Sequence, residues 1–206
     1  MKNTNLSSEI LFARHGQSEA NAAGFLAGQK DVELTEEGIR QARETGAQLL
    51  EKGVVFDKIV TSPLIRAQQT AYEIADTIGY TGDIVTLKDL KERNGGTFQG
   101  RDIQEFYAAS DNDIVVAGGE SLADFSDRLK RVNISLGLIA TGKRVLVVGH
   151  AEAFRMAQAN SAGIAPELYT TIEAPRNAEV YKYPIVKSED IAFDALVKAR
   201  TLYYKR

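Results

Sequence analysis

Apolar and polar positions along the chain fall into short runs of two kinds. Ile10-Leu11-Phe12-Ala13 is continuously apolar and stops abruptly in a polar loop, the pattern of a parallel strand covered on both faces. Thr35-Glu36-Glu37 then opens a helix with a capping hydroxyl and acids in its first turn. Ile39, Ala42, Leu49 and Leu50 supply its apolar face, and Gly53 follows its end. Phe56 to Thr61 reads as a second strand. Ser62-Pro63 predicts a helix with serine as N-cap and proline at the first helical position, running through Leu64, Ala67, Ala71 and Ile74 to about Ile78. Ile84 to Leu87 resembles a third strand. Ser121 caps a long helix through Leu122, Phe125, Leu129, Val132, Leu136 and Ile139, which Gly142 ends. Val145 to Val148 is another buried strand, followed by a helix from about Glu152 to Asn160 and a strand over Val180 to Tyr183. The tail from Ile191 fits both periodicities and stays open.

Strands alternating with helices predict a three-layer α/β/α sandwich with a mostly parallel central sheet and helices on both faces. Leu90 to Gly119 breaks that rhythm. It is rich in glycine, carries an amphipathic turn around Ile103, Phe106 and Tyr107, and reads as an insertion packed over the sheet edge. Phe98, Phe106, Tyr107, Ile114, Val115 and Val116 would make it a partly apolar cap, a small insertion over the active site. The expected organisation is one domain over residues 1–206, with a core of about 9–90 and 120–206 and an insertion at about 90–120.

Composition narrows the chemistry. The net charge of −3 over 206 residues and a pI near 5.5 argue against a nucleic-acid surface. No apolar stretch approaches a membrane span, and Met1 to Ser8 lacks the apolar centre of a signal peptide, so a cytoplasmic protein is expected. Cysteine is absent and the two histidines lie far apart, so no metal and no cofactor are expected. Oligomeric state is left open, a homodimer included.

The two histidines carry the chemistry. His15 and His150 each follow a buried apolar run, beside Gly16 and Gly149 respectively. A single histidine of this kind is more often a satisfied core imidazole; two at strand ends point to a shared site, because open α/β sheets bind ligands at the carboxyl ends of their strands. Arg14 precedes His15, and Arg66 lies near the start of the helix after another strand. Guanidinium forks and helix N-termini at strand ends suit a phosphoryl group.

Arg14-His15-Gly16-Gln17-Ser18-Glu19-Ala20-Asn21 resembles the signature of the histidine phosphatase superfamily, also called phosphoglycerate mutase-like. The likeness continues through Leu34 to Gly38, Thr61-Ser62-Pro63-Leu64 with Arg66-Ala67, Leu90-Lys91-Glu92-Arg93, Gly118-Gly119-Glu120-Ser121 and Val148-Gly149-His150, in the family's order. The resemblance implies that His15 is the nucleophile that becomes phosphohistidine, its other nitrogen giving a proton to a backbone carbonyl. It implies that Arg14, Arg66 and His150 hold the nonbridging oxygens, His150 as a protonated donor, and that Asn21, Gly28 and Ala151 line the same pocket. Ala151 stands where the family often has glycine. Glu92 sits where the family carries its proton donor and would need a raised pKa. Glu152 next to Ala151 is an acid at a phosphate-facing helix start, which repels substrate unless it points away.

Glu92-Arg93 with Gly95-Gly96 also resembles cofactor-dependent phosphoglycerate mutases. Those enzymes continue into a basic insertion, whereas Arg101 is the sole basic residue between Arg101 and Ser121 here, against Asp102, Glu105, Asp111, Asp113 and Glu120. The expectation is therefore a metal-independent phosphomonoesterase acting on a small phosphorylated substrate, the ester itself left open. A mutase is the alternative, and a non-catalytic phospholigand-binding protein a remoter one.

Overall fold

A computed structural model describes residues 8–184. The polar start over Met1 to Ser7 and the open reading of the tail from Ile191 lie outside the described residues. Strands β1 (Glu9–Arg14), β2 (Lys58–Thr61), β3 (Ile84–Thr86), β4 (Arg144–Gly149) and β5 (Val180–Lys182) form one sheet in the order β3-β2-β4-β1-β5. The first four are parallel, and β5 runs antiparallel along β1. With helices on both faces this is the predicted α/β/α architecture.

Alternation along the central strands assigns each side chain to a layer. Ile10, Phe12, Val145 and Val147 pack with α6 (Leu122–Ile139) and α7 (Ala151–Ala162), where Phe12 stacks on Phe154 at 4.5 Å between ring centroids. Ala13, Ile59, Leu146 and Val148 face the other way, onto α2 (Glu36–Glu51) and α3 (Ile65–Thr77). Both faces of β4 are thus dry, which is why its sequence reads as an unbroken apolar run.

Local signals place most element ends, with instructive departures. Thr35 caps α2 by accepting the Gly38 N–H at 3.1 Å. Leu49 carries the burial at the end of that helix, whereas Leu50, expected on the same face, is 57% exposed. Helix α3 begins at Ile65 rather than at Pro63. The ladder explains the delay, because the Ser62 N–H still bonds to the Val148 carbonyl at 3.0 Å. Ser62 therefore remains strand-like, its hydroxyl accepts the Leu64 N–H, and Asp31 from a distant loop caps the Ile65 N–H at 2.9 Å. Helix α7 starts one residue earlier than predicted, with an extended His150 as its N-cap, and runs two residues further, to Ala162.

Leu90 packs in the core with Phe12, Val60 and Val147, and the stretch that follows to Gly119 takes the place expected of a small insertion over the active site and not one on the sheet edge. It folds into short turns and the helices α4 (Ile103–Ala108) and α5 (Asp111–Val116), and it docks on the loop that follows the His15 segment and α1 (Glu19–Ala23). Leu26 donates to the Arg101 carbonyl and accepts from Gly100, and Phe106 and Ile114 close a small core around Leu26. Because that loop issues from the carboxyl end of β1, its docking surface lies above the strand ends. Val115 and Val116 stay exposed; of the expected apolar cap, Phe106 and Tyr107 reach the cleft described below. Among the described residues no helix is long and apolar enough to cross a membrane.

Candidate active site

Strand order brings the two histidines together. β1 and β4 are neighbours in register, Arg14 opposite Gly149, and the His15 N–H extends the ladder to the Gly149 carbonyl at 3.0 Å. The residues that follow each strand are therefore adjacent, and the rings of His15 and His150 lie 5.2 Å apart at 59°.

His15 Nδ1 sits 2.7 Å from the Gly16 carbonyl, which only accepts, so Nδ1 carries the proton. The lone pair on Nε2 receives the Arg66 Nε–H at 3.2 Å. Burial, helped by the charges of Arg66 and Arg14, holds the His15 pKa well below its usual value, so the ring is neutral. Gly16 is required by packing. A side chain there would meet the Gly38 carbonyl at 2.3 Å, so its close approach is to the start of α2 and not to a ligand.

Arg66 is 2% exposed and spends its fork on His15 Nε2, the Lys30 carbonyl (3.0 Å) and the Gly28 carbonyl (2.8 Å). Burial lowers its pKa to about 10, which leaves it charged at neutral pH. Gly28, with a positive φ of 55°, thus contributes its carbonyl to hold Arg66. Arg14 donates to the Pro175 carbonyl at 2.9 Å. Asn21 completes a capping box with Ser18 and receives the Asn177 amide at 3.3 Å. Arg14, His15, Asn21, Gly28, Arg66, Glu92 and Ala151 all line one open cleft.

His150 is fully buried behind His15 and is absent from the cleft lining. Its Nε2 is 2.7 Å from the Ser62 hydroxyl. Burial, followed by the charges of Arg66 and Arg14, pushes its pKa far down, so the ring is neutral in the free site; the protonated form was expected beside a phosphate dianion.

Glu92 occupies the helix terminus that was expected to meet phosphate. Its carboxylate accepts the N–H groups of Arg93 (3.0 Å), Glu152 (3.2 Å) and Ala153 (3.0 Å), the last two from the first turn of α7. These bonds favour the ionised form, but removal from water and the nearby Glu152 charge outweigh them and raise its pKa. The segment carrying Glu92 is fixed by Arg128, which donates to the carbonyls of Asp89, Lys91 and Glu92 and pairs two-pronged with Glu120 at 2.6 and 2.7 Å. This gives the Gly118-Gly119-Glu120-Ser121 block a physical role that spacing alone did not reveal.

Sequence reasoning also missed the segment before β5. Asn177 donates to the His15 carbonyl at 2.8 Å and Ala178 to the Arg14 carbonyl at 3.0 Å, so this turn clamps the Arg-His loop. Thr70 was missed as well; its hydroxyl takes the Gly16 N–H at 3.0 Å and links α3 to the loop. Neither position carries a local pattern that would have marked it.

Among the described residues, three buried side-chain atoms lack any hydrogen-bond partner: Arg14 Nε, His150 Nδ1 and Glu152 Oε2. All three belong to residues gathered here, two nitrogens around His15 and one oxygen on the far wall.

Fold and site define an α/β/α protein with paired histidines and buried arginines at its strand ends. Residues 10–191 match the histidine phosphatase superfamily, branch 1, and the chain belongs to that superfamily. A 2,3-bisphosphoglycerate-dependent phosphoglycerate mutase of Rhizobium johnstonii is 35% identical over 164 residues, covering 73% of this chain and 77% of its own. The crystal structure of an Entamoeba histolytica phosphoserine phosphatase with 3-phosphoglyceric acid superposes with a TM-score of 0.70 at 26% identity, covering 84% of this chain and 89% of its own. The α-ribazole phosphatase of Shigella flexneri shares the fold, with a TM-score of 0.72 at 22% identity over 89% of this chain and 98% of its own.

Proposed function

We propose that the protein hydrolyses phosphate monoesters through a phosphohistidine at His15. The observation that carries this reading is the neutral His15 imidazole in a cleft that Arg14, Arg66 and Glu92 also line. The ring's Nε2 lone pair accepts from Arg66, which must turn to the phosphoryl oxygens to free it, and two buried nitrogens of the site, Arg14 Nε and His150 Nδ1, have no partners. Unpaired buried polar groups are costly, and a phosphoryl oxygen accepting from each would remove that cost. If the Ser62 hydroxyl donates to His150 Nε2, Nδ1 carries the proton and can donate while the ring stays neutral.

In the first step His15 Nε2 forms a bond to phosphorus as the bond to the ester oxygen breaks. Arg14, Arg66 and His150 hold the nonbridging oxygens, and Glu92, as the neutral acid, passes its proton to the leaving alcohol. In the second step the Glu92 carboxylate takes a proton from water, the hydroxide oxygen bonds to phosphorus, and the electron pair of the P–N bond returns to His15. Asn21, Gly28 and Ala151 shape the phosphate end of the cleft. No step calls for a metal, and a cytoplasmic protein of one domain is the setting we infer.

The mutase reading has the Rhizobium relative in its favour. A mutase must grip a second anionic group after the first transfer. Here Arg93 is committed to Asp111 at 2.5 Å and to the Glu120 carbonyl, and Arg101 pairs with Glu105. With Arg93 and Arg101 both paired, hydrolysis is the better-supported outcome.

The deciding experiment measures phosphate release from 4-nitrophenyl phosphate with and without EDTA, in the wild type and in His15→Ala. Turnover that EDTA leaves unchanged and His15→Ala abolishes in a folded protein is expected. Loss with EDTA, or survival in His15→Ala, overturns the mechanism. Rapid conversion of 3-phosphoglycerate to 2-phosphoglycerate in the presence of 2,3-bisphosphoglycerate would favour the mutase.

A further inference from the structure

The third buried atom without a partner has the opposite polarity from the other two. Glu152 is 6% exposed, lies in the first turn of α7 and lines the cleft beside Tyr107 and Phe106. Its Oε1 is fixed by the Arg155 guanidinium at 3.0 Å and approached by the Tyr107 hydroxyl at 3.5 Å. Arg155 is itself anchored on the carbonyls of Thr170 and Ile172, so the carboxylate is clamped from behind. The Tyr169 hydroxyl lies against the same carboxylate, yet no donor reaches Oε2 in hydrogen-bond geometry. A carboxylate held this way is a preformed acceptor, and burial sharpens its preference for a donor over another anion.

Its place in the cleft says which part of a ligand it meets. The Glu152 N–H donates to Glu92, the group that would protonate the leaving oxygen, so the two residues are joined at the end of α7. Arg14 and Arg66 lie at the His15 end. The nearby arginines Arg155 and Arg93 are paired with Glu152 and Asp111. Arg14 is close enough for its charge to act on Glu152 and Tyr107, but in the proposed mechanism it is taken up by the phosphoryl group. With phosphate bound, an anionic leaving group would therefore face a carboxylate whose neighbouring cations are all engaged.

We propose that Glu152, with Tyr107 beside it, selects phosphate esters whose alcohol carries a hydrogen-bond donor, an ammonium or a hydroxyl, next to the ester oxygen, and rejects those carrying a carboxylate there. This rests on the phosphomonoester reading of the same cleft and names the substrate class within it. Discrimination of this kind is built as much from the repelled partner as from the accepted one.

The test compares two esters of similar size, phosphoethanolamine and phosphoglycolate, with 4-nitrophenyl phosphate as reference. The wild type is expected to show kcat/KM at least tenfold higher for phosphoethanolamine than for phosphoglycolate. Glu152→Gln, equal in shape and uncharged, is expected to shrink that ratio at least tenfold, chiefly by improving phosphoglycolate. The ratio is the readout because any effect of the substitution on Glu92 as acid scales both alkyl esters together. A wild-type ratio of one or less overturns the proposal, and so does a ratio that Glu152→Gln leaves within twofold of its starting value. The wild-type comparison needs no variant, so it decides even if Glu152→Gln fails to fold. Turnover of 4-nitrophenyl phosphate without the expected preference defeats the selectivity alone, whereas absence of turnover on every ester defeats the hydrolase reading together with it.

Discussion

Gly38 touches none of the proposed reacting groups, yet the structure makes it a determinant of where His15 sits. It is the third residue of α2, and a Cβ there would lie 2.0 Å from the Gln17 carbonyl oxygen. Real Cβ contacts stay above 3.0 Å, so Gly38→Ala forces the Gly16-Gln17 backbone and the helix start apart by about 1 Å. That backbone has little freedom to yield elsewhere. The Gln17 carbonyl accepts the Thr35 N–H at 3.0 Å, and the Gly16 carbonyl fixes the proton on His15 Nδ1. Alanine gains roughly 1 kcal/mol of helix propensity over glycine. Overpacking costs about 1–3 kcal/mol, so a net loss of at most about 2 kcal/mol is expected. The larger effect is on catalysis, since about 1 Å of misplacement at a reacting group costs on the order of 100-fold. Gly53→Ala is the matched comparison. Gly53 has a φ of 63° with open space around its Cβ position, far from the site, so it costs about 1–2 kcal/mol of backbone strain with no reason to lower activity. Urea denaturation and kcat/KM on 4-nitrophenyl phosphate would be measured for both. Activity of Gly38→Ala within threefold of the wild type would refute the argument, as would an equal loss in Gly53→Ala.

Three further outcomes follow from the same geometry. Arg66→Lys keeps the charge but cannot serve His15, Gly28 and Lys30 with one rigid fork, so kcat should fall by about 100-fold or more; retention within fivefold would show that charge alone suffices. His15 and His150 both have folded pKa values far below their unfolded one of about 6.5. The unfolded chain therefore binds more protons below pH 6.5, and each histidine removes up to about 1.4 kcal/mol of stability per pH unit as the pH falls. Glu92, raised in the folded state, works in the opposite direction, but as one group against two. Urea midpoints should thus decline from pH 6.5 to pH 5, and a flat or rising series would contradict the buried neutral rings. Finally, kcat should drop on the alkaline side as Glu92 loses its proton. Glu92→Gln should erase that limb and slow alkyl esters far more than 4-nitrophenyl phosphate, so equal losses across leaving groups would exclude Glu92 as the acid.

The sequence determined the layers and the reacting ends. Ile10 to Ala13 and Val145 to Val148 are apolar throughout because both faces of their strands are covered, and a histidine after each such run marks a strand's carboxyl end whatever the neighbours are. The family resemblance implied that one His15 nitrogen gives its proton to a backbone carbonyl; that this nitrogen is Nδ1 and the carbonyl that of Gly16 came from the structure. Tertiary structure decided what depends on partners remote in sequence. Periodicity tells a residue which face it occupies but not which strand lies alongside, so the adjacency of β1 and β4, and hence of His15 and His150, came from the sheet order. The same limit explains the late start of α3, where the Val148 carbonyl claims the Ser62 N–H. It explains why the Glu152 and Ala153 N–H groups of α7 go to Glu92, and why the insertion rests on Leu26 instead of the sheet edge. Charge states followed suit: His150 is neutral and Glu92 inclined to keep its proton because burial and neighbouring charges, which no local pattern encodes, set the cost of ionising them.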